Sequence, residues 1–280
     1  MFFDSSGWRL PQPWTRWVRE SANMRSQQPP AARLCETGSA YLPPSTRIYA
    51  VGDIHGMSSL LLNMLNEICD DAARTPEGET QRNIIVLCGD YVDRGPDSAG
   101  VLSILSALSL SGIETVALRG NHEDMLQRFM EQPERFGPAW IANGGDQTLR
   151  SYKIAPPDGT PEGMRLARKA LARCMPMSHF GFLTELKTSF TLGDYFFCHA
   201  GARPSVALAD QKEKDLLWIR DDFTNGDHGF EKVIVHGHQT MAEPLVAKYR
   251  IGVDTGAYAT GRLTAAVLEH NTCRFLEARK

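Results

Sequence analysis

The sequence predicts an α/β fold with two sheets, and three observations predict it. From Arg47 onward, short β-branched runs alternate with helical apolar patterns. The early strands run into Gly-Asp or Gly-Asn steps, as strands do when they feed a ligand-binding edge. The last third changes to short strands bounded by turn residues, which a second sheet packed on the first explains.

In chain order, residues 1–44 read as a leader and linker. Trp8, Trp14 and Trp17 stand among prolines, and Gln27-Gln28-Pro29-Pro30 reads as a linker. No basic amphipathic pattern accompanies the tryptophans, so packing on the body is the better expectation than membrane docking, and no role is assigned. The body of the chain spans 45–280. It opens with a strand at 47–51, a helix at 58–73, a strand at 83–88, a helix at 98–109 and a strand at 114–118. Residues 137–186 then change character. Asn143-Gly144-Gly145, a Pro156-Pro157-Asp158-Gly159 turn and a helix at 161–174 predict a helical and loop insertion that roofs a site. Strands follow at 189–198, 232–235, 249–253, 263–268 and 272–277.

Composition narrows the function. The 280 residues are 42% hydrophobic and 22% charged, enough to bury a core that needs no disulfide. Thirty basic against 33 acidic side chains leave a net charge of -3, with no electrostatic footprint for nucleic acid or an anionic membrane. Any phosphate recognition must therefore come from a few placed residues. Six scattered cysteines without a CxxC pair predict reduced thiols. No signal peptide is visible, and the longest apolar stretch, at 101–110, is too short to span a bilayer, so a cytoplasmic protein is expected.

The chemistry lies where polar residues interrupt the strands. After the first strand comes Gly52-Asp53-Ile54-His55-Gly56, in which Asp53 and His55, two apart in an extended segment, would point the same way. The second runs into Gly89-Asp90-Tyr91-Val92-Asp93-Arg94-Gly95, and the third into Arg119-Gly120-Asn121-His122-Glu123. Two later strands end in His199-Ala200-Gly201 and His236-Gly237-His238. Any one of these alone is an ordinary polar turn. Five in this order deliver carboxylate, amide and imidazole groups to one sheet edge.

On these motifs the chain resembles the metallo-dependent phosphoprotein phosphatase (PPP) superfamily of calcineurin-like metallophosphoesterases, with the resemblance covering about 47–268. It is most similar to the bacterial and bacteriophage lambda type of serine/threonine phosphatase. That similarity rests on Asn143-Gly144-Gly145 with Thr148-Leu149, on Leu217-Trp218-Ile219-Arg220, and on Asp254-Thr255-Gly256-Ala257 with Gly261-Arg262-Leu263-Thr264. The C-terminal tyrosine-containing loop of the eukaryotic enzymes has no clear counterpart. The resemblance implies a four-layer α/β/β/α sandwich of two mixed sheets with metals at the sheet edge.

It also implies roles, which the chemistry of each group supports. Two divalent ions, manganese first with iron, zinc or nickel as alternatives, would share Asp90. Asp53 and His55 would join Asp90 on one ion, and Asn121, His199 and His238 on the other. Arg94 and Arg220 would clamp the phosphate with Asn121 beside them, while Arg119 is either a further cation or a structural ion-pair partner. His122 would be the general acid and Asp93 its orienting carboxylate. His236 would stand behind His238, and Glu123 and Asp254 would support. The expected substrate is a phosphoprotein at Ser or Thr, with Tyr as a further acceptor. The alternative is symmetrical hydrolysis of diadenosine tetraphosphate, against which stands Gln239-Thr240, where such relatives place Trp after Gly-His. A non-catalytic scaffold is disfavoured because every motif residue is present. A nuclease is disfavoured because no basic groove is evident.

Overall fold

A computed structural model of the chain describes residues 35–36, 40–74, 82–225 and 229–280. The three leader tryptophans, the 27–30 stretch and His228 lie outside the described residues. The chain enters through strands β1 (Cys35–Glu36) and β2 (Thr46–Val51), then helix α1 (Ser58–Ala72), β3 (Arg82–Leu87), α2 (Ser98–Ser106) and β4 (Ile113–Ala117). A helical stretch follows: α3 (Asn121–Glu131), α4 (Pro133–Trp140), a wide π-type turn at Ile141–Gly145, α5 (Asp146–Ser151), α6 (Pro161–Cys174) and α7 (Met177–Thr184). Next come β5 (Ser189–Leu192), β6 (Tyr195–Cys198), the short helices α8 (Glu213–Trp218) and α9 (Asp221–Thr224), then β7 (Val233–His236), β8 (Leu245–Val246) and β9 (Arg250–Gly252). The last elements are α10 (Ala257–Thr260), β10 (Arg262–Glu269) and β11 (Thr272–Arg279).

Local signals explain several of these bounds. Asp97 caps α2 by accepting the Gly100 N–H at 2.9 Å, and Thr160 caps α6 by accepting the Gly163 N–H at 3.0 Å, with Pro161 in the first helical turn. The strands form two mixed sheets, in the orders β1-β11-β10-β2-β3-β4 and β5-β6-β7-β9-β8. β2, β3 and β4 run parallel, as do β6, β7 and β9.

The period-two alternation of the strands assigns each face. Ile48, Ala50, Ile84 and Val86 point between the sheets and meet Tyr195, Phe197, Val235 and Ile251. Tyr49, Val51, Ile85 and Leu87 point the other way, onto α1 and α2. On the far side of the second sheet, Phe196, Cys198 and Ile234 bury Leu216, Ile219 and Phe223. The result is the expected four-layer α/β/β/α sandwich.

Three details depart from the sequence reading. Residues 189–198 are a hairpin rather than one strand, because Gly193 takes φ 57 and turns the chain so that Ser189 pairs with Cys198. β1 pairs with β11, and Ala40 and Leu42 bury in the inter-sheet core, so these residues belong to the body. The helix expected over 98–109 stops at Ser106. Among the described residues, no helix is long and apolar enough to cross a membrane.

Candidate metal centre

The site is built on backbone that most residues avoid. His55, Asp90, Asp93, Arg94 and His238 all take positive φ, at 44°, 54°, 70°, 65° and 61°. A cluster of non-glycine residues in the left-handed region persists only where surrounding contacts over-determine it. His55 is therefore not in the extended segment expected of it; the chain turns back there, and its N–H donates to the Asp90 carbonyl at 2.8 Å. Gly95 permits this approach, since a Cβ there would lie 1.9 Å from the His55 carbonyl oxygen.

Glu123 holds the second loop. Its buried carboxylate accepts four backbone N–H groups: Tyr91 (2.8 Å) and Val92 (3.2 Å) on Oε1, Asp90 (2.9 Å) and Gly120 (2.9 Å) on Oε2. Asp254 does the same for the last loop, accepting from Thr240 Oγ1 and the Gly256 N–H, both at 2.8 Å.

Donor atoms converge around Asp90. Asn121 Oδ1 lies 2.9 Å from His199 Nε2 and 2.8 Å from His238 Nδ1, and these two nitrogens are 3.2 Å apart. Asp90 Oδ1 is 3.4 Å from His199 Nε2, and Asp90 Oδ2 is 3.4 Å from His55 Nε2. The other ring nitrogens are engaged elsewhere: His199 Nδ1 with the Cys88 carbonyl and His55 Nδ1 with the Val92 carbonyl, each at 2.8 Å. Those bonds fix the Nδ1–H tautomer and turn each Nε2 toward Asp90. Asp90, His199 and His238 form one compact donor group, and His55, Asp90 and His122 form another, with Asp90 in both. Asp53 stands outside both groups. Its two oxygens accept the His238 N–H at 3.1 Å each, which ties it to the loop that carries His238.

The electrostatics fit a divalent cation. Burial and the facing carboxylate of Asp254 push Asp53 well above the ordinary range. Burial also disfavours a charged Asp90, but the imidazoles of His199, His122 and His55 outweigh it and hold Asp90 well below that range. His199 moves the other way: burial opposes its charge, yet Asp90 and Asp53 lift it to about 10. His199 Nε2 lies among Asn121 Oδ1, His238 Nδ1 and Asp90 Oδ1. Burial drives His55 down to about 3, and burial with the nearby His199 takes His238 to about 2, so both offer lone pairs. Ligand atoms ~2.1 Å from an ion and at right angles lie ~3 Å apart, the spacing found among Asn121, His199 and His238. Carboxylate, amide oxygen and imidazole are donors that divalent ions accept.

Beside the metal donors lies a second constellation. His122 Nδ1 donates to Asp93 Oδ2 at 2.8 Å, while His122 Nε2 is buried without a partner and lies 3.9 Å from Asp90 Oδ2. Burial would lower His122, but Asp90 and Asp93 raise it. Arg94 Nη1 donates to His55 Nε2 at 2.9 Å, and its guanidinium lies 5.2 Å over the Tyr258 ring. Arg220 is exposed at the rim, close enough for its charge to lower His238. Arg119 donates to Glu213 at 3.0 Å, the ion-pair alternative of the sequence reading. His236 is buried behind His238, with Nδ1 2.9 Å from the Gly237 carbonyl.

Three neighbours escaped the sequence reading. Trp140 and Thr148 both donate to Asp93, and Tyr258 packs edge-on against His55 at 5.4 Å. Thr148 stood within a motif already noted after Asn143-Gly144-Gly145. Tyr258 lies between Gly256 and Gly261.

The calcineurin-like phosphoesterase family matches residues 46–269, and the chain belongs to that family. It is 28% identical over 227 residues to serine/threonine-protein phosphatase 1 of Salmonella typhimurium, covering 79% of this chain and 92% of that one. It is 26% identical over 230 residues to the asymmetrical bis(5'-nucleosyl)-tetraphosphatase PrpE of Bacillus thuringiensis, covering 77% and 87%. A solved structure described as a candidate diadenosine tetraphosphatase superposes with a TM-score of 0.54 at 22% identity, covering 85% of this chain and 98% of that one, which supports the fold.

Proposed function

We propose that this calcineurin-like phosphoesterase is a metal-dependent phosphoprotein phosphatase of the cytoplasm. It removes phosphate from phosphoserine and phosphothreonine, with phosphotyrosine as a further substrate. One observation carries the reading: Asp90 is shared by two groups of metal donors, and His122, a member of one of them, has a buried Nε2 with no hydrogen-bond partner.

Asp53, His55 and Asp90 would hold one divalent ion, and Asp90, Asn121, His199 and His238 the other. Manganese is the proposed metal, and iron, zinc and nickel suit the same donors. Such ions, when bound, polarise the phosphate and lower the pKa of the attacking water. The protein positions the rest. Arg94 presents a planar fork to the phosphate oxygens from one side, and Arg220 adds positive charge from the rim. Asn121 lies beside them at the start of α3. As the water oxygen bonds to phosphorus and the ester P–O bond breaks, the departing alkoxide takes the proton of His122 Nε2. Asp93 keeps the other ring nitrogen protonated and the imidazole aimed.

Gln239-Thr240 after His238, together with the Salmonella relative, supports a phosphoprotein substrate. The Bacillus relative, of nearly equal similarity, favours a second reading in which a dinucleoside tetraphosphate enters the same centre. Metal-stripped protein supplied with manganese separates the two. Phosphate release from a phosphoserine peptide, with slow turnover of diadenosine tetraphosphate, is the expected result. Fast nucleotide cleavage with an inert peptide would overturn it. The products then tell symmetrical cleavage to ADP, the form expected from sequence, from asymmetrical cleavage to ATP and AMP.

A further inference from the structure

We propose that Trp140 and Thr148, carried by the helical roof, are positioning residues that aim His122 through Asp93; this rests on the reading of His122 as the general acid. Asp93 is fully buried, and donors meet both oxygens of its carboxylate. Trp140 Nε1 donates to Oδ1 at 3.1 Å and Oδ2 at 2.9 Å, Thr148 Oγ1 donates to Oδ1 at 2.6 Å, and His122 Nδ1 takes Oδ2. A carboxylate held from one side only can rotate about its terminal torsion, which is broad and two-fold. Donors on both oxygens fix its plane, and with it the axis along which His122 Nε2 points.

The roof is shaped for this task. In an unbroken α-helix, eight residues make about 2.2 turns, so the side chains at 140 and 148 would diverge by about 80°. The wide turn at Ile141–Gly145, kinked at Gly144 (φ 98), instead brings both donors onto one carboxylate. Trp140 is fixed in turn, with its ring stacked on Phe129 at 4.4 Å between centroids and Gly145 so close that a Cβ there would lie 2.4 Å from the indole. Thr148 is fixed by Ser98 Oγ at 2.9 Å and by the Asp93 N–H, which donates to it at 3.0 Å.

Leaving-group dependence tests this on the full-length, manganese-loaded enzyme. 4-Nitrophenyl phosphate expels a stable anion that needs little protonation, and phenyl phosphate expels a basic one that does. Trp140→Phe keeps the ring and loses the donor, and Thr148→Val does the same for the hydroxyl. Both are expected to lower kcat for phenyl phosphate about tenfold more than for 4-nitrophenyl phosphate, with KM unchanged, the size expected for one charge-assisted hydrogen bond. Thr148→Ser should restore the wild-type ratio between the two substrates. Equal losses on both substrates, or no loss, would overturn the proposal and leave the two residues structural. His122→Asn is the control: if its loss is the same on both substrates, the acid reading itself fails. A substrate-dependent loss in His122→Asn beside a flat Trp140→Phe and Thr148→Val removes only the positioning role. Should Trp140→Phe fail to fold, the Thr148→Val and Thr148→Ser pair carries the test alone.

Discussion

Replacing Glu123 by Gln tests how the metal loop is held. The carboxylate accepts two N–H groups on each oxygen, so an amide can serve only one pair, and its NH2 must face the other two donors. Each buried donor left without an acceptor costs about 1–3 kcal/mol, giving about 2–6 kcal/mol for two. The neutral amide gives some of this back. Burial and the neighbouring charge of Asp90 push Glu123 from 4.5 to about 7, a penalty on the ionised form of at most about 3 kcal/mol. A net destabilisation of about 2 kcal/mol is expected. Urea unfolding at pH 8 measures it, as a lower midpoint with an unchanged m-value. The loosened residues include Asp90 at φ 54, so the apparent affinity for manganese should fall in the same variant. Stability and manganese affinity both equal to wild type would refute the idea that this carboxylate holds the loop.

Asp90→Asn removes the carboxylate common to both donor groups and should leave protein holding less than one ion by metal analysis; two retained ions would break the bridging assignment. Gly144→Ala places a Cβ 2.7 Å from the Arg94 nitrogen in a backbone of φ 98, at about 1–3 kcal/mol. Thermal melting should show the loss, and KM for a phosphomonoester should rise because Arg94 is displaced. Stability should also fall in mild acid. His179 is buried on the hydroxyls of Tyr152 (2.7 Å) and Ser103 (3.1 Å), and burial lowers its pKa below the ordinary 6.5. The unfolded chain therefore binds the proton first, and stability drops as pH falls below about 6.5. Tyr152 and, near it, Asp97 are the titratable groups around it. His179→Gln should flatten that part of the stability profile, and an unchanged slope would count against the assignment.

The strands and their ligand-bearing ends were legible because each signal is local. An apolar run such as Ile84 to Leu87 ending in Gly89-Asp90 states both the strand and where its loop points. The four-layer sandwich came from the resemblance that those motifs, in their order, bear to the metallophosphoesterases. What stayed hidden depends on distance. Trp140 and Thr148 lie 47 and 55 residues from the carboxylate they meet, and no periodicity reports that encounter. His55 looked extended because Asp-x-His alternates like a strand, whereas its φ is set by contacts with the loop after β3. The hairpin at Gly193-Asp194 was missed for the opposite reason, since apolar residues on both sides outweighed a turn signal that was present. The contacts of β1 on β11 and of Leu42 on the core are too small to leave a pattern in the sequence.

The order of strands in the first sheet sets a timetable for biosynthesis. β2 lies between β3, made soon after it, and β10, made last but one, with Ala265 opposite Val51. A ribosome adding ~5–20 residues per second needs about 10–40 s to pass from residue 51 to residue 262. Throughout that interval one edge of an apolar parallel strand has no partner, while the whole second sheet is made in the gap. The nascent chain therefore carries an open strand edge beside the loop that bears Asp53 and His55 until β10 closes it.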